Sequence, residues 1–259
     1  MIKENTNFNT LNLSNIAIIS STIEDVNYRL TNLIQRTGKQ NLIITFNLDF
    51  YRNTEIYPEF KTICESADFI FPDGVGITKL LKLKHRINVK RITGNDLFTI
   101  LLEKADEFHL NLALVGSTAE TLEKLCDKIH LNYPGTNICA ALSPPINFEK
   151  HPDYNIKIIE KLNESKPDIL FLALGSPRQE LWLAENMEKI GAKINMGVGA
   201  AFEYFSGTKR RAPLIMQKIG LEWLWRLLNE PGRLFKRYLI QDMPFFIKQV
   251  MILYLNNNK

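Results

Sequence analysis

Asp73 stands in the run Phe-Pro-Asp-Gly-Val-Gly over 71–76, a single carboxylate between a proline and two glycines, directly after an apolar stretch. That setting suits proton abstraction, since a carboxylate on a turn can act as a general base and glycines at 74 and 76 let the backbone approach a ligand. Residues 69–71 read as the end of a buried strand whose ladder Pro72 stops. In an open α/β sheet that is where ligands bind. The same aspartate also fits a plainer role, capping the helix predicted over 75–83.

Other polar side chains fall at comparable places. The β-branched run 42–46 predicts a buried strand that delivers Thr45, Asn47 and Asp49 to a turn, and Asn95 and Asp96 precede a helix predicted over 97–108. Gln179 sits in Gly-Ser-Pro-Arg-Gln-Glu-Leu-Trp over 175–182, where the apolar run 168–175 opens into a helix. Each has a bland alternative: Thr45 and Asn47 as turn formers, Gln179 as a first-turn helix residue, Arg91 as a solvated loop charge.

Some chemistries are disfavoured. Three cysteines without a Cys-x-x-Cys spacing and four scattered histidines offer no zinc site and point to a reducing cytosol. There is no Gly-x-x-x-x-Gly-Lys-Ser/Thr and no Asp-x-Asp, so neither a P-loop nor the usual carboxylate clamp for a metal-bound nucleotide diphosphate is expected. Gly-Val-Gly-Ala-Ala-Phe over 197–202 starts like a dinucleotide turn but places Phe202 at its third position. One well-placed aspartate, amides at strand ends and isolated arginines suit metal-free transfer of a sugar from a nucleoside diphosphate. The acceptor hydroxyl needs a base, and guanidinium forks offset the charge growing on the departing diphosphate.

The elements that must position these groups alternate. Strands predicted at 16–20, 42–46, 69–71, 111–117, 137–142, 168–175 and 194–199, separated by helices over 22–37, to about 66, 75–83, 97–108, 119–132, 154–164 and 179–189, imply an α/β fold: a Rossmann-like, mostly parallel sheet with helices on both faces. At 259 residues the chain can build one large core plus an appendage. We divide it into a catalytic body, 1–208, and a helical C-terminal appendage, 209–259.

Charge supports that division. Net charge is +4, yet 209–259 holds ten basic residues against three acids, so the tail carries +7 and the body −3. One helix is predicted over 213–229, with Lys218, Glu222 and Arg226 as an i, i+4 ladder on its polar stripe. A second, basic and amphipathic, carries Arg233, Lys236 and Arg237 on one face. The apolar run 243–255 is too short to span a bilayer, and fits either a membrane interface or packing on the body. The polar N-terminus lacks the apolar core of an export signal.

Seven motifs, in order, resemble the WecG/TagA/CpsF glycosyltransferases: Thr-Phe-Asn at 45–47, the run 71–76, Arg-Ile-Thr-Gly-Asn-Asp-Leu at 91–97, 175–182, Gly-Val-Gly-Ala-Ala-Phe-Glu-Tyr-Phe-Ser-Gly at 197–207, Arg-Ala-Pro at 211–213, and 220–239. The resemblance implies an inverting, metal-independent transfer of an N-acetylmannosamine-type sugar. The donor would be a UDP-sugar and the acceptor the 4-hydroxyl of a polyprenyl-diphosphate-linked N-acetylglucosamine, in cell-surface polysaccharide or teichoic acid synthesis. It further implies Asp73 as base, Thr45, Asn47 and Asn95 as substrate contacts, Arg91 near the acceptor or its phosphate, and Gln179 on the donor side. Arg226, Arg233, Lys236 and Arg237 match the tail's basic positions, in a protein held peripherally at the cytoplasmic face of the membrane. Leu48-Asp49 stands where the family usually has proline or another small apolar residue after the motif at 45–47, and Asp49 adds a second carboxylate. No cofactor, metal or nucleic-acid partner is expected, and an oligomer is compatible with the sequence. The alternatives are an NAD-type oxidoreductase and a non-enzymatic basic adaptor for membrane or nucleic acid.

Overall fold

The computed structural model describes residues 8–35 and 38–257, so the end of the helix expected over 22–37 lies outside the described residues. The α/β class is as expected. Six short apolar strands, β3 (Asn41–Phe46), β4 (Phe69–Pro72), β5 (Asn111–Gly116), β6 (Asn137–Leu142), β7 (Ile169–Ala173) and β8 (Ile194–Gly197), form a sheet in the order β4-β3-β8-β7-β5-β6. Every neighbouring pair in it is parallel.

Strand alternation sorts the apolar residues between two cores. Leu42, Ile44 and Phe46 of β3, with Leu170 and Leu172 of β7, face one; Ile43, Ile169 and Phe171 face the other. Both faces must be covered, which is why these strands read as continuous apolar runs. The first core takes α2 (Leu48–Ile56), α3 (Pro58–Ser66), α4 (Val75–His85), α7 (Pro152–Ser165) and α8 (Arg178–Ile190). The second takes α1 (Ile23–Gln35), α5 (Gly94–Glu107), α6 (Ala119–Asn132) and α9 (Ala201–Ser206). Neighbouring strands β3 and β8 thus send the chain to opposite faces, which opens a crevice at their C-terminal ends.

Three local differences from the sequence reading have physical causes. The strand expected at 16–20 is β2 (Ile16–Ile19), which lies outside the main sheet and pairs antiparallel with β1 (Thr10–Leu13). The single helix expected to run to about 66 is two, because Pro58 cannot donate the hydrogen bond that would continue α2. The single helix expected over 213–229 is also two, α10 (Leu214–Lys218) and α11 (Glu222–Asn229), parted at Gly220 with φ of 78°.

The tail continues through α12 (Pro231–Phe235), a π-helical stretch Lys236–Asp242, and α13 (Met243–Asn257). Phe245, Phe246, Val250 and Leu253 of α13 pack on the first core. The opposite side leaves Ile247, Met251, Tyr254 and Leu255 exposed. Segment 243–255 therefore packs on the body and still presents an apolar face. Among the described residues no helix is long and apolar enough to cross a membrane.

Candidate active site

Asp73 follows β4 immediately, and its backbone N–H donates to the Phe46 carbonyl at 2.9 Å, so the β3–β4 ladder holds the residue in place. Gly74, with φ of 82°, forms the cap of α4, and no side chain caps that helix. Asp73 is thus not spent as a helix cap. Its side chain lines a cavity of about 460 Å³ between the strand ends and the tail. Among the described residues no cation lies within ion-pairing distance of its carboxylate. Burial pushes that carboxyl up to about 6, although Arg226 and Arg91 pull it down.

The body lines the cavity with Asn47, Asp49 and Arg91, and the tail with Glu222, Arg226 and Arg237. Asn47 also caps α2, its side chain accepting from Phe50 N–H at 3.1 Å, so it is a turn former and a lining residue together. Glu222, 7% exposed, is the hub that sequence reasoning missed. One of its oxygens accepts from Arg91 at 3.1 Å, and the other accepts from Arg226 at 3.2 Å and lies 3.8 Å from Arg211. Lys218, expected on the same ladder, is exposed and belongs to the separate helix α10. A carboxylate on a helix otherwise carrying tryptophans and leucines, in a segment of +7, was the available signal.

A second charged cluster joins tail to body. Asp49 and Asp242, both buried, share Arg52 and Arg237: Arg52 reaches Asp49 at 2.5 Å and Asp242 at 2.9 Å, while Arg237 lies 3.4 Å from Asp49 and 3.7 Å from Asp242. Both Asp49 oxygens are therefore engaged by guanidinium groups. Arg226 stacks over the Tyr204 ring at 5.3 Å, yet Nε of Arg226 and of Arg237 are buried donors with no hydrogen-bond partner.

Other expected site residues stand apart from this cavity. Thr45 sits half-buried on β3 with its hydroxyl beside Gly94, and Asn95 lies in the first turn of α5, which opens on a Thr93–Asp96 capping box. Gln179 is 4% exposed and turned inward. Its Oε1 accepts from Gly175 at 3.1 Å and Gly199 at 3.2 Å, and its Nε2 donates to Glu180 at 2.6 Å, which braces the turns ending β7 and β8. Arg233 pairs with Glu230 at 2.6 Å, and Lys236 is exposed, so only Arg226 and Arg237 of the four tail positions reach the cavity.

One packing detail ties the tail to the turn that carries Asp73. A Cβ at Gly220 would lie 2.5 Å from Cγ1 of Val75, two residues after Asp73. Within the body, a Cβ at Gly76 would lie 3.3 Å from Cδ2 of Leu48. The turn at 197–202 does not follow the dinucleotide pattern, because Phe202 is fully buried against Phe98.

The family model of the "Glycosyl transferase WecG/TagA/CpsF family" matches residues 11–259. Among curated proteins the chain is similar to an N-acetylglucosaminyldiphosphoundecaprenol N-acetyl-beta-D-mannosaminyltransferase of Bacillus spizizenii. The two are 31% identical over 196 residues, covering 76% of this chain and 74% of the relative.

Proposed function

The chain belongs to the WecG/TagA/CpsF family of glycosyl transferases, and from that membership and the cavity around Asp73 we propose that it moves an N-acetylmannosamine-type sugar from a UDP-sugar to a lipid-linked N-acetylglucosamine, with inversion and without a metal. The observation that carries the reading is an unpaired carboxylate in a cavity whose lining arginines, Arg226 and Arg237, each keep one Nε donor without a hydrogen-bond partner. A base must be free to accept a proton, and a diphosphate site must hold donors in reserve.

In this mechanism Asp73 takes the proton of the acceptor hydroxyl as its oxygen attacks the anomeric carbon, and the bond from that carbon to the diphosphate oxygen breaks on the opposite face. UDP departs with the bonding electrons. Arg226 and Arg237 offset its charge through planar forks, so the leaving group needs no proton. Asp49, held by Arg52 and Arg237, is a poor candidate to share the base role. The acceptor's diphosphate-lipid end faces the tail, whose exposed apolar side on α13 suits the membrane interface from which such an acceptor is drawn. We assign the protein to the cytoplasmic face of that membrane, in cell-surface polysaccharide or teichoic acid synthesis, with 1–208 as catalytic body and 209–259 as appendage.

The relative's printed name supports the acceptor and sugar class, and the arginine-lined cavity supports metal independence. A panel of UDP-sugars offered with a short-chain lipid acceptor tests the reading. Transfer from a UDP-N-acetylhexosamine is expected, and no transfer from any member of the panel overturns it.

A further inference from the structure

Arg91 and Arg226 flank Asp73, yet both guanidinium groups are turned to Glu222, one to each of its oxygens. Two cations beside a carboxylate in a poorly solvated pocket would ordinarily collapse onto it, and a carboxylate paired in that way is a weak base. Glu222 lies on the tail, Arg91 on the body and Arg226 one helical turn further along α11, so a single acid spans both sides of the cavity.

We propose that Glu222 is a positioning residue: it draws the two guanidinium groups away from Asp73, leaving that carboxylate free to take the acceptor's proton. The inference rests on the reading of Asp73 as base and adds the group that keeps it available. The other charges that bear on Asp73 are Asp96, which lies 3.9 Å from Arg211, and the cavity residues Lys79, Asp49, Arg237 and Asp242. The last three belong to the ring that includes Arg52, so their charges are already matched. Glu222 thus acts as the decoy counter-ion of the site. Loss of its charge and release of the arginines toward Asp73 both act in the same direction, deepening the stabilisation of the Asp73 anion.

The experiment follows the Asp73 carboxyl by carbon NMR against pH in the ligand-free full chain, so that it needs no substrate. In Glu222→Gln the midpoint is expected to fall by about one unit or more, with Glu222→Asp restoring most of it. Limited proteolysis checks that the tail stays docked. In the transfer assay, the acid limb of kcat/KM for Glu222→Gln moves down with the midpoint, and the plateau falls by roughly a few-fold as the base weakens. An unmoved or raised midpoint overturns the proposal, as does a tail that becomes protease-sensitive in Glu222→Gln, which would make Glu222 a tail anchor only. A midpoint that falls while the wild-type chain transfers no sugar leaves the decoy role standing and removes the proposed function instead.

Discussion

Arg91 donates to Glu222 at 3.1 Å across 131 residues of chain, so the body and the tail complete one cavity wall between them. Removing residues 209–259 takes away Glu222, Arg226 and Arg237 together. Transfer to a lipid acceptor is expected to fall by about two orders of magnitude, the scale of losing charge-stabilising donors, and co-sedimentation with vesicles should fall as well. A truncated chain with full activity and full vesicle binding would refute the tail's role.

Asp73→Asn removes the carboxylate proposed as the base. Turnover is expected to disappear while UDP still raises the melting temperature, because the donor's diphosphate meets the arginines and not Asp73. The same variant carries a stability signature. The wild-type carboxyl is raised from 3.8 to about 6 by burial, so the folded state loses stability as pH climbs from about 4 to about 6. Asp73→Asn should therefore match wild type near pH 3.5 and melt higher above pH 6, by up to about 2 kcal/mol after allowing for the solvent in the cavity. Equal melting curves at pH 7.5 would contradict the buried charge.

Glu180, 2% exposed with one oxygen unpartnered, is pushed up to about 7, chiefly by burial. Its folded state binds the proton more tightly than the unfolded chain, so its contribution is intact below about pH 4.5 and is lost as pH rises toward 7. Glu180→Gln keeps an acceptor for the Gln179 amide. It should flatten that slope, which thermal melts between pH 4.5 and 8 will read.

Asp242 shares Arg52 and Arg237 with Asp49. Asp242→Ala leaves two guanidinium groups with one carboxylate, at a cost of about 2 kcal/mol, below the range for fully buried pairs because Arg237 is partly solvated. Urea unfolding measures the loss. Combined with Asp49→Ala, the two losses should fall short of additive; strict additivity would mean that the ring is not one unit.

Chelation offers a separate check. With arginines offsetting the diphosphate charge, EDTA is expected to leave the transfer rate within about twofold, a margin well under the several kcal/mol a catalytic metal supplies. Loss of activity restored by a divalent cation would end the metal-free reading.

Periodicity carried the main sheet because its strands are apolar on both faces, and a parallel sheet covered by helices on both sides buries such runs. It missed β1, whose four residues include a threonine and an asparagine and are stabilised by pairing with β2. Asp73 was legible because proline and glycine punctuate its turn. Gln179 was legible as important but not in its setting, since a buried amide and an exposed one have the same letter and the same spacing. Arg91 and Arg226 were marked by type. Their meeting point was not, because Glu222 reads locally as one rung of a helical surface ladder, and only the break at Gly220 turns it inward. Arg52 and Asp242 were invisible for the same reason: their partnership spans 190 residues.

The bare backbone at position 220 presses on Val75, so the joint of the appendage and the catalytic turn occupy one another's space. Even a methyl group there would have to displace the Val75 side chain, which opens the helix two residues after Asp73. A substitution at 220 is accordingly expected to disturb the turn that carries Asp73 while altering no charge and touching no reactant, simply by denying two surfaces their closest approach.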